Sequence, residues 1–166
     1  MIPFGSVFRE IAARETRSVR ISESSEHQGP FDTPAGEYAF LEHYCDEAGC
    51  DCRRVMLAVV SRASMAPVAW ISHSFDPPKP GAHIKEQTFL DPMFKHAPYG
   101  RDLMRIFLAR VLDEPYDARL RRHYRMIKDH ITGPSPRGWG SGKPMGRDND
   151  AAGIRPPPAR RGKRWK

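Results

Sequence analysis

Three cysteines and a histidine fall within ten residues of this chain, as His43-x-Cys45-x4-Cys50-x-Cys52, with Asp46-Glu47-Ala48-Gly49 between the two halves. No other stretch restricts the fold as tightly, because four soft donors so close in sequence ask to be brought to one point. A β-hairpin does this. If Cys45 faces Cys50 across the turn, His43 faces Cys52, and strand alternation sends all four side chains to one face. Opposed Cβ atoms then lie about 4.5 to 5.5 Å apart. A zinc ion about 2.3 Å from each sulfur and about 2.0 to 2.1 Å from the imidazole nitrogen would sit over them. The spacing therefore predicts a zinc site formed by His43, Cys45, Cys50 and Cys52. Four protein ligands leave no open position, which makes such a site structural.

The flanking residues agree with that register. It opposes Phe40 to Val55 and Tyr38 to Leu57 on the face away from the metal, where aromatic and β-branched side chains pair favourably. It also sets Glu42 against Arg53 as an exposed ion pair, worth about 0 to 1 kcal/mol. A slip of one residue would send the ligands and the apolar set to the wrong faces.

Other states of the cysteines fit less well. Free cysteine is often buried as a small hydrophobe, but here all three lie within eight positions beside Asp46, Glu47 and Asp51. A disulfide between Cys45 and Cys50 leaves Cys52 unpaired, and an odd count makes no framework. The opening MIPFGSVFREIAAR has no continuous apolar stretch of the secretory kind, and the longest aliphatic run, Val55 to Val60, is far short of a membrane span. A reducing, cytoplasmic setting is expected.

The chain has 166 residues and a formal charge of +7, and that charge is unevenly placed. Residues 1–132 hold 18 Lys+Arg against 18 Asp+Glu, and residues 133–166 hold 9 against 2. The second segment is rich in Gly and Pro with almost no aliphatic side chains, too little apolar surface to offset the entropy of ordering it. The sequence thus predicts a zinc-stabilised domain over 1–132 and a disordered basic tail over 133–166. The tail tip carries Arg155, Arg160, Arg161, Lys163, Arg164 and Lys166 beside Trp165, a composition suited to nucleic acid or another polyanion. A basic run carries no sequence code, however, and a merely solubilising tail reads the same way.

Arg17 to Ile21 alternates like a strand. Glu37 to Cys45, Cys50 to Val60 and Val68 to Phe75 follow, the last stopped by Asp76-Pro77-Pro78-Lys79-Pro80. His83 to Leu90 reads as a short strand or a structured loop. Leu103, Ile106, Phe107, Arg110 and Val111 have helical spacing, with a break at Asp113-Glu114-Pro115. A second helix, from about Pro115 to Ile131, carries a stripe of Leu120, His123, Tyr124, Ile127 and Ile131. His123 is expected there as a packed, hydrogen-bonded histidine. Arg119, Arg121, Arg122 and Arg125 flank the stripe, as a basic surface or as a solvated face balanced by acids. Strands followed by helices predict an α+β fold, an antiparallel meander with its zinc hairpin packed against two C-terminal helices.

The fragments EYAFLEHYCDEAGCDCRRV, TFLDP before an amphipathic helix, and YDARLRRHYRMIK resemble a group of uncharacterised bacterial proteins in which a cysteine-rich hairpin core often precedes a SEC-C zinc tail. The likeness covers roughly residues 37 to 130. Gly140-Ser141-Gly142-Lys143 matches the tail motif, but the tail cysteines are missing. The resemblance implies a bacterial, soluble, metal-holding protein and supplies no catalytic residues. Three functional readings follow. One is a non-catalytic binding or adaptor protein with a structural zinc and an anionic partner. The second is a zinc-dependent enzyme with an open metal site using His73 or Glu86, with His83 and His96 near the same cleft. In the second reading, pairing Val60 with Pro67 would set His73 opposite Arg54 on the metal face. A thiolate cluster open to oxidation is the third.

Overall fold

The computed structural model describes residues 1–23, 32–82 and 84–133. His83 and the predicted tail beyond Gly133, including its basic tip, lie outside the described residues. Along the chain run β1 (Ile2–Pro3), α1 (Phe4–Val7), α2 (Arg9–Glu15), β2 (Arg17–Ile21), β3 (Gly36–Tyr44), β4 (Arg54–Ser61), β5 (Ala66–Ser74), β6 (Thr88–Leu90), α3 (Gly100–Ile106) and α4 (Glu114–Thr132). The architecture is α+β with an antiparallel sheet. Strands β3 to β6 form a meander, and β1 and β2 lie end to end along the free edge of β3. β2 pairs with residues 36–40 and β1 with residues 43–44, so Leu41 and Glu42 fall in the gap between them.

Alternation along β3 and β4 determines which face is covered. Tyr38, Phe40 and Tyr44 of β3, Val55, Leu57 and Val59 of β4, and Ala69 and Ile71 of β5 are all buried in one core. Leu103 of α3, Phe107 just beyond it, and Tyr116, Leu120 and Ile127 of α4 belong to the same core. The α4 start is fixed locally: the Asp113 carboxylate accepts the Tyr116 N–H at 2.8 Å, and Pro115 occupies the first turn, where no helical N–H is needed. After α3 the backbone widens into a π-helical turn over Phe107–Val111. This keeps Phe107 and Val111 inside and leaves Arg110, the polar member of the predicted stripe, exposed.

The hairpin exists, but its register differs from the predicted one. Phe40 faces Val59 rather than Val55, Tyr38 faces Ser61 rather than Leu57, and Glu42 faces Leu57 rather than Arg53. Each β3 residue meets a partner four positions later, because β3 ends at Tyr44 and β4 starts only at Arg54. Cys45, Cys50 and Cys52 therefore belong to the connection and not to paired strands, and Cys45 does not face Cys50 nor His43 Cys52 in a ladder; His43 faces Met56. Glu42 is not an exposed ion-pair member either, being only 7% exposed. A second departure concerns β5. Val60 pairs with Pro67 as expected, but a bulge between Val59 and Val60 shifts the ladder, so His73 faces Val55 on the core side instead of Arg54.

The N-terminal segment, which carried no assigned element, supplies β1, α1 and α2. Among the described residues no helix is long and apolar enough to cross a membrane.

Candidate metal centre

The β3–β4 connection brings the three cysteines together without a ladder. The Cys50 N–H donates to Glu47 O at 3.2 Å, closing a turn over Glu47–Cys50. Arg53 then sits at φ +31, in the left-handed region, and redirects the chain into β4. Its guanidinium is gripped by the Asp76 carboxylate at 2.5 and 3.3 Å, while its carbonyl accepts the Phe75 N–H at 2.9 Å. From the other side Lys128 of α4 donates to Glu47 O at 2.9 Å. The loop is thus tied to the residues just beyond β5 and to α4.

Within it the sulfur atoms of Cys45, Cys50 and Cys52 all lie within 4.8 Å of one another, each residue half-buried and none in a disulfide. Sulfurs bound to one tetrahedral zinc at about 2.3 Å would be about 3.8 Å apart, so the cluster is of the size that a single ion requires. The electrostatics are those of three acids competing for one space. Cys50 is held below the ordinary thiol range, chiefly because its sulfur accepts the Cys52 N–H and then hydrogen bonds from the neighbouring thiols. Cys52 is pushed up to about 12, first by burial and then by those same neighbours. A divalent ion would remove this conflict by neutralising the thiolates together.

His43 does not join this group. Its Nδ1 donates to Leu41 O at 3.1 Å, and its ring leans on Trp70 with centroids 5.1 Å apart. That bond occupies the carbonyl of a residue in the gap between β1 and β2, where no strand partner is available. Among the described residues the cluster therefore offers three donors. His73 is placed on the core side at 3% exposure, its Nδ1 2.7 Å from Thr88 Oγ1 and its Nε2 3.6 Å from Asp117. Burial lowers its pKa, against the opposing pull of Asp117. Glu86, by contrast, shares the wall of a cavity of about 410 Å³ with Asp51, Cys52 and Arg54. His96 is occupied by backbone, near Trp70 N at 3.3 Å and Asp91 O at 2.8 Å.

Three of the four arginines that flank the α4 stripe are engaged, whereas Arg125 is exposed and has no hydrogen bond or ion pair among the described residues. Arg119 and Arg122 engage Glu15, and Arg121 engages Asp117 and Asp76 and donates to Phe75 O. These three meet acids from α2, from just beyond β5 and from their own helix, as the balanced reading expects.

A second polar centre surrounds His123, which is packed and hydrogen-bonded as its place in the α4 stripe predicts. His123, 1% exposed, points Nδ1 at Glu42 Oε2 at 2.7 Å and Nε2 at Glu15 Oε2 at 3.1 Å, and stacks on Phe4 at 4.0 Å between ring centroids. The Tyr44 hydroxyl donates to the same Glu42 oxygen at 2.8 Å. The only hint in the sequence was a histidine within an apolar helical stripe. Its partners, 81 and 108 positions away, left no local trace.

No protein-family model, curated protein or solved structure matches the chain.

Proposed function

We propose that this is a zinc-binding protein whose ion is held by the thiolates of Cys45, Cys50 and Cys52. The observation that carries the reading is the convergence of the chain's three cysteines to within 4.8 Å on one loop. Soft thiolate donors suit zinc, and an ion here would crosslink a connection that has little apolar surface of its own to bury. The fourth coordination position falls to solvent or to a donor from another molecule. In this reading the metal stabilises the β3–β4 connection, and the protein acts as a cytoplasmic binding or adaptor protein. Its tail residues Arg155, Arg160, Arg161, Lys163, Arg164 and Lys166 meet a polyanion, and its kinship is with the cysteine-rich bacterial group named above. Metal analysis after purification without added metal tests the centre, with one zinc per chain expected. Substoichiometric metal in well-folded protein refutes it.

One observation favours a second reading, a zinc-dependent enzyme: Cys52 and Glu86 line the same cavity. A three-thiolate ion with an open position there would carry a water molecule, and Glu86 would be the available general base. The cobalt-substituted protein tests this second reading: the enzyme requires exchangeable solvent on the ion, and a fourth non-solvent donor excludes it.

A further inference from the structure

The gap in the edge of β3 is not filled by protein. Where β1 ends and β2 has not yet begun, a cavity of about 280 Å³ lies between α1, α2 and β3. Phe4, Ala12 and Leu41 give it apolar walls, and Glu15, Glu42 and His123 converge on it. A concave, mostly apolar space with a few convergent polar groups is the usual form of a small-ligand site.

The hydrogen-bond inventory names the ligand's chemistry. Glu42 takes its bonds from His123 and Tyr44 on Oε2 alone, and Glu15 takes those from His123, Arg119 and Arg122 on Oε2. Neither Oε1 has a hydrogen-bond partner among the described residues. Both nitrogens of His123 are engaged by these carboxylates, so the imidazole has nothing left to offer. The two guanidiniums that neutralise Glu15 are not part of the cavity wall. The wall thus presents unfilled carboxylate acceptors and no lysine or arginine donor, and its second imidazole, His43, gives its Nδ1 to Leu41 O at 3.1 Å. Glu42 is itself more than nine-tenths buried, and a buried carboxylate binds charged N–H donors about twice as strongly as neutral ones.

We propose that this cavity binds a small primary amine with an apolar body, the ammonium received by Glu42 and Glu15 and the body packed against Phe4 and Leu41. None of the three cysteines lines this cavity.

Benzylamine is a suitable probe, with benzyl alcohol and benzoate as matched neutral and anionic controls. Titration of the full chain, followed by calorimetry and by the NMR signals of His123 and Phe4, should show saturable benzylamine binding in the millimolar range or tighter, as suits so small a ligand. Benzyl alcohol should bind at least about tenfold more weakly and benzoate more weakly still. Ser6 lines the cavity but is exposed and stands outside the ionic network. Ser6→Leu should therefore fill the space, weaken benzylamine binding about tenfold or more, and leave the unfolding midpoint nearly unchanged. Glu42→Gln should abolish the preference for the amine. If that variant fails to fold, Ser6→Leu still decides. The proposal is overturned by no saturable binding, by equal affinity for the alcohol, by a preference for benzoate, or by undiminished benzylamine binding in Ser6→Leu.

Discussion

Replacing Glu42 by alanine should be among the most destabilising single changes available outside the apolar core, although a glutamate on a strand is usually an expendable surface residue. Its side chain points into the fold toward His123 and Tyr44, with bonds of 2.7 and 2.8 Å on one carboxylate oxygen. An exposed pair in this position would contribute about 0 to 1 kcal/mol. Removing one partner of a buried, hydrogen-bonded pair instead costs about 3 to 5 kcal/mol, because the other is left uncompensated in a poorly solvated site. Two contacts soften the loss: Tyr44 keeps a bond to Leu120 O at 3.1 Å, and His123 keeps Glu15 at 3.1 Å. The lower half of that range, about 3 to 4 kcal/mol, is therefore expected. With a urea m-value of about 2 kcal/mol/M, the midpoint should move down by about 1.5 to 2 M at unchanged slope. Urea unfolding of Glu42→Ala, His123→Ala and the double variant measures both the cost and the coupling. A coupling of about 1 to 3 kcal/mol is expected, since the partners share one bond. A cost below about 1 kcal/mol, or strictly additive variants, would show that water satisfies the carboxylate and that the buried network does not hold α4 to the sheet.

Cys50→Ser should lower zinc content and thermal stability together, whereas His43→Ala should leave zinc content unchanged; elemental analysis of both variants checks the three-thiolate assignment. Phe40→Ala removes a ring that is fully buried and tilted against Phe107 at 5.6 Å, and should cost about 3 to 5 kcal/mol in the same urea assay. Burial lowers the pKa of both His73 and His43 in the fold, so below about pH 6.5 the unfolded chain takes up protons that the native one refuses. Stability should therefore fall as pH drops through that value, by at most about 1.4 kcal/mol per pH unit for each group, and His73→Gln should flatten the slope measured by denaturation at several pH values. Deleting residues 134–166 should leave metal binding and cooperative unfolding intact, while any affinity of the full chain for nucleic acid should fall both with that deletion and steeply with salt.

Apolar periodicity made the elements legible, and long-range pairing hid the centres. β2 over Arg17–Ile21 and α4 with its Leu120, His123 and Ile127 stripe were readable because local spacing alone dictates them. The short N-terminal elements were not. A two-residue strand and helices of four and seven residues give too few periods for a pattern, and they form because Phe4 can stack on His123 and Glu15 can reach α4. The convergence of Cys45, Cys50 and Cys52 was visible from spacing, but that His43 stays outside their group was not. That depends on where a strand stops, the least local property of a hairpin.

The two register departures had opposite consequences, and parity explains why. β3 meets β4 four residues later than predicted, an even displacement, so Phe40, Tyr38, Val55 and Leu57 keep the buried face even though every partner has changed. The paired length near the turn shrinks, and the cysteines pass from the ladder into the loop, where they converge without strand alternation to place them. The bulge between Val59 and Val60 adds a single residue, an odd displacement, and so turns His73 from the predicted metal face to the core, although Val60 and Pro67 pair as expected. A hydrophobic pattern therefore constrains a register only up to even slips, which leave burial unchanged. Burial-based reasoning is blind to them, while a metal site, which requires particular atoms at particular distances, is not. For that reason the core of this protein could be read from periodicity with its pairing wrong, whereas finding His43 outside the cysteine cluster required the strand ends themselves.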